Sequence, residues 1–342
     1  MRVGILGPVS WRTPPRQYGA WETVVSNLAD GLSDRGYDVT VFATADSATA
    51  GTLDAVVPRP YSEDTTLDPK VWEFLHISEA MEQADKFDLI HNNYDFMPLT
   101  YSRLVRTPML TTVHGFSLDQ FRLVYRKYRE TFFVSISDAD RDPWLTYVRT
   151  VYNGIDLKQH TFRATGGDYL AFVGRIHPDK GVHLAIDVAL ATERRLVIAG
   201  IVQDQAYFDE LIKPRLGGRI EFVGPVGPPE RDMLFGGALA SLHLTTIPER
   251  FGLAMAESMA TGTPVIGIDL GSVSEVVEDD ATGYVVQDVR EAIEAVAHIG
   301  DISRSACRQR VEHLFSVDAM VDGYLEAYRT ILGADRVTTA QN

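Results

Sequence analysis

Two glutamates flank the start of a predicted helix, and this segment has the strongest chemical character in the chain. Glu249 lies in a turn after an apolar run, a helix is expected to begin near Gly252, and Glu257 follows Glu249 by eight positions. Unpaired N–H groups at a helix N-terminus favour a phosphate, and the two carboxylates could hold sugar or ribose hydroxyls. Spacing alone favours an ordinary alternative, in which Glu249 substitutes for a helix cap and Glu257 is solvated.

A second segment places two cations where a helix dipole disfavours them. Arg175 and Lys180 lie between a predicted strand at 169–173 and a predicted helix at 180–191. Positive charge is unfavourable at a helix N-terminus, so the placement makes sense if an anion lies between the two side chains. Arginine can bind phosphate oxygens through two N–H groups, and lysine adds a point charge. Two solvated cations in a loop are an equally good interpretation.

Two further candidates follow predicted strands in the first half of the chain. Gly19, in the segment 18–22, would let the backbone approach a ligand closely, although a plain turn glycine is hard to exclude. His114 follows the predicted strand 109–113 and could donate to a sugar hydroxyl or handle a proton. A lone histidine is more often structural, so His114 carries little weight alone.

The elements that must position these residues form two successive α/β series. Short continuous apolar runs between amphipathic helices, such as a helix at 22–35, predict buried parallel strands. Strands are expected at 2–6, 39–42, 88–91, 109–113, 132–136, 169–173, 196–199, 220–223, 240–244 and 264–268. We therefore predict an α/β protein of two Rossmann-like, doubly wound parallel-sheet domains facing across a cleft, where open α/β sheets bind ligands.

A length of 342 residues also suggests two domains. The polar stretch 153–167 is the expected linker. The expected division is 1–155, 156–315 and a C-terminal helix at 316–342 that packs back towards the first domain.

Composition excludes several classes of protein. With 47 acidic residues against 32 basic ones, the net charge is −15, which argues against nucleic-acid binding. The single cysteine, Cys307, excludes an internal disulfide framework and a cysteine-based zinc site. The first apolar run is too short for a signal peptide, and no window is long enough to span a membrane. We expect a cytoplasmic protein.

Asp138, Asp140 and Asp142 superficially match the Asp-x-Asp pattern of a metal site. They follow a predicted strand at an expected helix start, where aspartates are favoured as caps. We therefore expect no metal there and no resident cofactor.

In this order and spacing, the segments resemble the retaining, nucleotide-sugar-dependent glycosyltransferases of family 4, which have the GT-B architecture. The resemblance extends from Arg2 to about Leu332 and departs from the family where Ala20 and Ser272 replace frequent glycines. It is carried by Gly19-Ala-Trp-Glu22, Thr112-Val-His-Gly115, Val134-Ser-Ile-Ser137, Tyr152-Asn-Gly-Ile-Asp156, Gly174-Arg175, Lys180-Gly181, Phe222-Val-Gly-Pro-Val226, Glu249-x7-Glu257, Gly262-Thr-Pro-Val265 and Gly271-Ser-Val-Ser-Glu275. Size and motifs also resemble actinobacterial natural-product glycosyltransferases, such as those of avilamycin-type antibiotic assembly.

The resemblance implies roles at the matching positions. Arg175 and Lys180 would bind the donor diphosphate and, with Glu249 on the donor sugar and His114 near its C6, would form the catalytic set. Glu257 would hold the ribose hydroxyls. The implied nucleotide-sugar contacts through backbone are at Gly19 beneath the phosphates, at Gly224 and Val226 around the base, and at Phe251, Gly252, Leu253 and Ala254 towards phosphate or sugar.

The implied reaction transfers a sugar from a nucleotide-sugar, which is a co-substrate and not a cofactor, to a small-molecule hydroxyl. A UDP-sugar is favoured over a GDP-sugar without a physical reason, and no metal is implied. The first domain would bind the acceptor and the second the donor. The alternative within this class is a membrane-associated transferase that acts on a lipid or a cell-surface glycan.

Two other classes remain as competing hypotheses. A dinucleotide oxidoreductase would share the α/β pattern, but the G-x-G-x-x-G fingerprint is missing after the first strand. A non-catalytic sugar-binding protein of two lobes would usually carry an export signal.

The segment 118–130 is basic and amphipathic if it is helical. Its cations are Arg122, Arg126, Lys127 and Arg129. We expect a packed helix with a solvated basic face, with an acidic acceptor or a membrane surface as alternative partners.

Overall fold

The computed structural model describes residues 1–17, 19–115 and 119–339, with side chains described as far as Gly333. The chain divides into two compact units, Met1–Gly154 with Val317–Asn342 and Ile155–Ser316. The chain passes between the units at 154–155 and at 316–317, one residue from each boundary expected from the sequence. Most of the expected linker, residues 155–167, belongs to the second unit.

Within the described residues, parallel strands and helices alternate along both units, except that β3 directly follows β2 and β7 directly follows β6. The strands are β1 (Arg2–Leu6), β2 (Asp38–Thr44), β3 (Thr52–Val57), β4 (Leu89–Asn92), β5 (Met109–Val113), β6 (Phe132–Ser135), β7 (Tyr147–Thr150), β8 (Tyr169–Val173), β9 (Arg195–Ala199), β10 (Ile220–Gly224), β11 (Ala240–His243), β12 (Val265–Ile268) and β13 (Gly283–Val286). The α-helices are α1 (Ala20–Asp34), α2 (Pro69–Glu82), α3 (Arg122–Lys127), α4 (Val182–Ala191), α5 (Gln205–Tyr207), α6 (Pro228–Gly236), α7 (Leu253–Ala260), α8 (Val273–Val276), α9 (Val289–His298), α10 (Arg304–Leu314) and α11 (Val317–Thr339).

Across the described ranges, the first unit holds a seven-stranded sheet in the order β3-β2-β1-β4-β5-β6-β7. The second unit holds a six-stranded sheet in the order β10-β9-β8-β11-β12-β13. All neighbouring strands pair in parallel. The predicted α/β class with two doubly wound parallel sheets is confirmed.

Three strands were not expected from the sequence, and all three lie at sheet edges. β3, β7 and β13 each pair on one side only. An edge strand is less buried than a central one, so its sequence need not be a continuous apolar run; β7, for example, is half-buried throughout. The central strands are close to the predicted ranges because burial on both faces demands apolar residues.

Helix α1 begins two residues before the predicted helix because Gly19 already occupies its N-cap position. Its buried face includes Val24, Val25, Leu28 and Leu32. Gly36, with φ of 79°, turns the chain towards β2. Through this buried face α1 packs against the first unit, and its start at Gly19 fixes the end of the loop that follows β1.

Helix α11 packs on the first unit through a buried polar network. His91 Nδ1 lies 2.7 Å from the Tyr328 hydroxyl and His91 Nε2 lies 2.7 Å from Thr112 Oγ1. Tyr324 bonds the same threonine at 2.9 Å. Burial lowers the pKa of His91 to about 3, so its ring is neutral within this network.

In each sheet the winding direction reverses at a central strand pair. These pairs are β1 with β4 in the first unit and β8 with β11 in the second. Loops that follow the two strands of such a pair diverge to opposite faces and leave a crevice at the carboxyl ends. Functional side chains are expected at these two places.

Candidate functional site

The reversal point of the second sheet carries a charge cluster centred on Glu249. Lys180 Nζ donates to Glu249 Oε2 at 2.5 Å, and His243 Nε2 donates to the same oxygen at 2.8 Å. Glu249 is only 8% exposed. Burial alone would raise the pKa of Glu249, but the hydrogen bond and charge of His243 and the charge of Lys180 lower it below its ordinary value. The carboxylate is therefore ionised at neutral pH.

The backbone of Glu249 is fixed from the neighbouring loop. Its N–H donates to Leu270 O at 3.1 Å, and its carbonyl accepts from Ser272 N at 3.0 Å. A Cβ atom at Gly271 would lie 2.2 Å from that carbonyl, so the approach requires glycine there. The departure from the family at Ser272 leaves this backbone contact intact.

Lys180 is fixed by contacts between the loop after β8 and the end of β11. Residues Pro178–Lys180 form a 3-10 turn, so the predicted helix at 180–191 begins later, at Val182. Gly181 has φ of 66°, and a Cβ there would lie 1.8 Å from Leu244 O. Thr245 Oγ1 donates to Asp179 O at 2.9 Å. These contacts aim the Lys180 side chain at Glu249.

Helix α7 begins beside Glu249 with an open N-terminus. Gly252 is its N-cap in a left-handed conformation, and no side chain of the described residues caps the helix. A Cβ at Gly252 would lie 3.3 Å from Glu249 Cγ. The interpretation of Glu249 as a substitute helix cap is therefore wrong. The N-terminus is a place where an anion can be bound.

The other residues at the start of α7 can offer backbone N–H groups to a ligand more readily than side-chain groups. The Phe251 ring is buried, with its centroid 5.6 Å from that of Phe315. Leu253 and Ala254 are half-buried at the first turn.

Glu257 lies inside α7 and is 9% exposed, so the interpretation of a solvated side chain is also wrong. Arg231 of α6 pairs with Glu257 Oε1 at 2.9 Å. The pair holds one carboxylate oxygen of Glu257 beside a cation of the neighbouring helix.

Three other predicted donor-site residues have contacts of their own outside the cluster at Glu249, namely Arg175, Gly224 and Val226. Arg175 donates to Gln203, whereas Lys180 donates to Glu249, so the two predicted cations have different partners. Gly224 ends β10 with φ of 77° and accepts from Gly200 N at 2.9 Å. Val226 is half-buried before α6.

In the first unit, His114 lies at the carboxyl end of β5. Its Nε2 is 3.0 Å from Asn93 Oδ1, and its ring stacks on Trp21 with centroids 5.2 Å apart. Burial lowers the pKa of His114 to about 3, so the ring is neutral. With Asn93 Oδ1 as acceptor, Nε2 carries the proton and Nδ1 can accept a hydrogen bond from a hydroxyl.

Gly19 caps α1 with φ of 150°. A Cβ there would lie 2.8 Å from Pro15 Cβ and 2.9 Å from Glu22 Oε2, so the position has no room for a side chain. Tyr18 of the same predicted segment lies outside the described residues.

The Asp-x-Asp segment differs from its prediction, because residues 138–142 form a bend, a short turn and irregular backbone and not a helix start. Asp138 accepts from Thr150 and pairs with Arg141, and Asp142 pairs with Arg122. In the parts of the chain that the structure describes, no group of three or more His, Cys, Asp or Glu side chains is arranged to hold a metal ion.

The basic segment 118–130 is a short helix and not a long amphipathic one. Helix α3 has six residues and follows a 3-10 turn at Asp119–Phe121, while Leu118 lies outside the described residues. Arg122 pairs with Asp142 at 2.8 Å and with Asp119 at 2.6 Å. Arg126 lies over the Trp144 ring. Over the described residues, no helix is long and apolar enough to cross a membrane.

The residues that sequence reasoning missed are partners of those it found. His243 contacts Glu249, Arg231 contacts Glu257, and Asn93 contacts His114. His243 and Asn93 carried one detectable signal, because each is a polar residue at or just after the end of a predicted apolar strand.

Comparisons with known proteins find glycosyltransferase families over most of the chain. The model of Glycosyltransferase Family 4 matches residues 21–159, and that of Glycosyl transferases group 1 matches residues 155–311. The chain is 24% identical to O-antigen chain mannosyltransferase C of Escherichia coli over 365 residues, covering 93% of this chain and 96% of the relative.

Two crystal structures share the fold over nearly the whole chain. AviGT4, a glycosyltransferase involved in avilamycin A biosynthesis, has a TM-score of 0.74 at 24% identity and covers 97% of this chain and 98% of its own. Anabaena HepE in complex with UDP and glucose has a TM-score of 0.73 at 20% identity and covers 95% and 98%.

Proposed function

The chain belongs to family 4 of the GT-B glycosyltransferases, and from that premise we propose that it transfers a sugar from a nucleoside-diphosphate sugar to a hydroxyl of a small-molecule acceptor. The transfer retains the anomeric configuration and uses no metal ion. The second unit binds the donor and the first unit binds the acceptor.

The observation that carries this proposal is the cluster at the start of α7. Lys180, the ionised Glu249 and the uncapped helix N-terminus at Gly252 come together at the reversal point of the second sheet. A diphosphate needs positive charge and N–H donors, and these come from Lys180 and from the backbone at the start of α7. A sugar needs a hydrogen-bond acceptor for its hydroxyl groups, and the carboxylate of Glu249 is such an acceptor.

The main barrier is departure of an anionic diphosphate from an oxocarbenium-like carbon. Lys180, Arg175 and the N–H groups at the start of α7 stabilise that charge where it develops, with little reorganisation. Glu249 holds a hydroxyl of the donor sugar. The acceptor attacks the face from which the phosphate leaves, and the departing phosphate takes the acceptor proton.

The other candidate residues act on the nucleotide and on the sugar. Glu257 accepts hydrogen bonds from the ribose hydroxyls, and backbone at Gly224 and Val226 frames the base. Gly19 lies beneath the phosphates, and His114 contacts the donor sugar near its C6 with a neutral ring.

A UDP-sugar is the proposed donor, supported by the complex of HepE with UDP and glucose, and a GDP-sugar is the alternative. The similarity in fold to AviGT4 supports a role in oligosaccharide or antibiotic assembly. A membrane-associated transferase acting on a lipid or cell-surface glycan is the second candidate, supported by exposed Leu123 and Trp144 beside Arg126 on and next to α3.

A thermal-shift panel of UDP, GDP, ADP and dTDP tests the donor. A nucleotide at about 100 times its Kd should add about 2.7 kcal/mol of stability. The corresponding nucleotide-sugar is then incubated with acceptors and with EDTA, and NMR of the anomeric proton reports the configuration of the product. Absence of stabilisation by every nucleotide would contradict the proposal, and an inverted product or loss of turnover in EDTA would contradict its mechanism.

A further inference from the structure

Helix α2 of the first unit presents an apolar face to solvent. The side that packs on the sheet buries four residues, His76, Ile77, Ala80 and Met81. On the outer side Val71 is 54% exposed, Phe74 47% and Leu75 46%. Exposed apolar residues are normal when they are scattered, but a contiguous group of them marks a contact surface.

This concentration of exposed apolar side chains distinguishes α2 from the rest of the chain. Across the described residues, no other helix exposes more than one large apolar side chain. The face is also firmly held, because Asp68 caps the helix by accepting from Val71 N at 3.0 Å and Pro69 occupies the first turn. The structure therefore holds a preformed surface that nothing in the first unit covers among the described residues.

The pattern of residues on this face is self-complementary. Residues four apart lie on the same side of a helix, so the face consists of two neighbouring rows, Lys70, Phe74 and Ser78 in one and Val71, Leu75 and Glu79 in the other. Both rows are symmetric about the midpoint between positions 74 and 75. An antiparallel pair of α2 helices centred there would place position 70 opposite 79, position 71 opposite 78 and position 74 opposite 75 of the other copy.

Each of these pairings is favourable. Phe74 meets Leu75 at the centre, and Val71 meets the small Ser78. The Ser78 hydroxyl lies 3.3 Å from that of Tyr101, so it already has a hydrogen-bonding partner when an apolar side chain covers it.

The charges at the two ends of the face are complementary as well. Lys70 is exposed, and no carboxylate of the described residues pairs with it. Glu79 is half-buried and accepts from Gln83 on the next turn at 2.5 Å. Antiparallel packing brings the cation of each copy to the carboxylate of the other, so the contact occurs twice.

We propose that this face of α2 is the contact between two copies of the chain, packed antiparallel about a two-fold axis. One helix from each copy gives a small interface, so the dimer is of the weak, transient class with a micromolar Kd. The proposal is independent of sugar transfer, because α2 carries none of the residues assigned to that reaction.

The charge of α2 favours a second copy over a membrane surface. Besides Glu79 the helix carries Glu73 and Glu82 against the single cation Lys70. An acidic helix is repelled by anionic lipid, which attracts basic amphipathic helices. The same acidic residues do not prevent self-association in the antiparallel arrangement, because Glu79 lies opposite Lys70.

Sedimentation velocity of the full chain over a series of concentrations around the micromolar range tests the proposal. The buffer has physiological ionic strength, which screens the long-range repulsion between two chains of net charge −15. We expect the sedimentation coefficient to rise with concentration to that of a dimer. Phe74→Ser should raise the Kd about tenfold or more, because an aromatic side chain at the centre of the contact is lost.

Leu190→Ser is the matched control, because it removes an exposed apolar side chain from α4 of the second unit. Its Kd should equal that of the wild type, and thermal melting confirms that both variants fold. A monomer at every concentration, or an unchanged Kd in Phe74→Ser, would overturn the proposal.

A charge exchange tests the antiparallel arrangement itself. Lys70→Glu and Glu79→Lys should each raise the Kd about tenfold, because the two-fold axis places like charges opposite each other at both ends. A mixture of the two variants should dimerise about as tightly as the wild type, since both end contacts then join opposite charges. This is measured by labelling one variant and titrating it with the other. A mixture no tighter than the separate variants would overturn the antiparallel contact.

Vesicle co-sedimentation distinguishes a membrane from a second copy. The probes are vesicles of phosphatidylcholine with and without phosphatidylglycerol. We expect Phe74→Ser and the wild type to sediment equally with either vesicle. Vesicle binding by the wild type that Phe74→Ser abolishes, in a protein that stays monomeric in solution, would assign the face to a membrane and overturn the dimer.

Discussion

Lys180 donates to Glu249 at 2.5 Å although 69 positions separate the two residues in the chain. They meet because β8 and β11, the strands that precede them, are neighbours in the second sheet. A lysine ammonium has three donors, so two remain for a diphosphate after the bond to Glu249. The ion pair therefore orients the cation without using up its hydrogen-bonding capacity.

Removal of the Lys180 charge should weaken nucleoside-diphosphate binding selectively. We expect Lys180→Ala to lose about tenfold or more in affinity for UDP, because a charged hydrogen bond contributes about 1.5–3 kcal/mol. Affinity for uridine should hardly change. Calorimetry with both ligands measures the difference, and Lys213→Ala, an exposed lysine of the second unit, is the control. Equal losses for UDP and uridine would remove Lys180 from the diphosphate site.

The proposed contact of Glu257 with ribose can be isolated by a double change. Glu257→Gln should weaken binding of UDP, and the difference between mutant and wild type should vanish for a UDP analogue that lacks the ribose diol. The amide retains an oxygen for Arg231, so the pair with α6 is partly preserved. Glu294→Gln, an exposed glutamate of α9, serves as control. A persistent difference with the analogue would show that Glu257 acts elsewhere.

His114 should affect turnover and leave nucleotide affinity nearly unchanged. We expect His114→Ala to lower kcat, and Asn93→Ala to lower it less, because Asn93 only orients the ring. Burial lowers the pKa of His114 to about 3, so no transition of an ordinary histidine should appear in kcat between about pH 5 and 8. His313→Ala, on the exposed surface of α10, controls for loss of a histidine. Normal turnover in His114→Ala would leave that residue a structural role alone.

Glu22 should make the stability of the first unit depend on pH. Burial raises the pKa of Glu22 from 4.5 to about 7, so the folded state keeps a proton that the unfolded chain has released. Ionisation therefore costs stability above pH 7, and the cost disappears as pH falls through the window from about 7 to 4.5. We expect Glu22→Gln to raise the free energy of unfolding at about pH 8 by up to a few kcal/mol and to change it little below the window.

Tryptophan emission is the natural measurement for this effect. All four tryptophans, Trp11, Trp21, Trp72 and Trp144, belong to the first unit. Urea unfolding followed at this emission reports that unit alone, with Glu63→Gln as control. An equal change in stability at both pH values would assign the effect of Glu22→Gln to packing and not to charge.

The sequence by itself determined the α/β class, the central strands and the places where ligand-binding loops begin. Its prediction for 169–173 coincides with β8, and the helix start near Gly252 is confirmed. Local physics suffices for these features, because a strand buried on both faces must be apolar and a left-handed cap favours glycine. The edge strand β7 has no such requirement, which explains why its sequence carried little signal.

Only the tertiary structure decided which charges are paired. Spacing within 249–257 could not distinguish solvated glutamates from buried ones, because the partners His243, Lys180 and Arg231 come from other elements. The same holds for Glu22, whose burial depends on the loop after β1 folding over the start of α1. Which charged side chains are buried and paired depends on the order of the strands in the sheet. That order depends on the whole sheet, so the spacing of residues within a short segment does not reveal it.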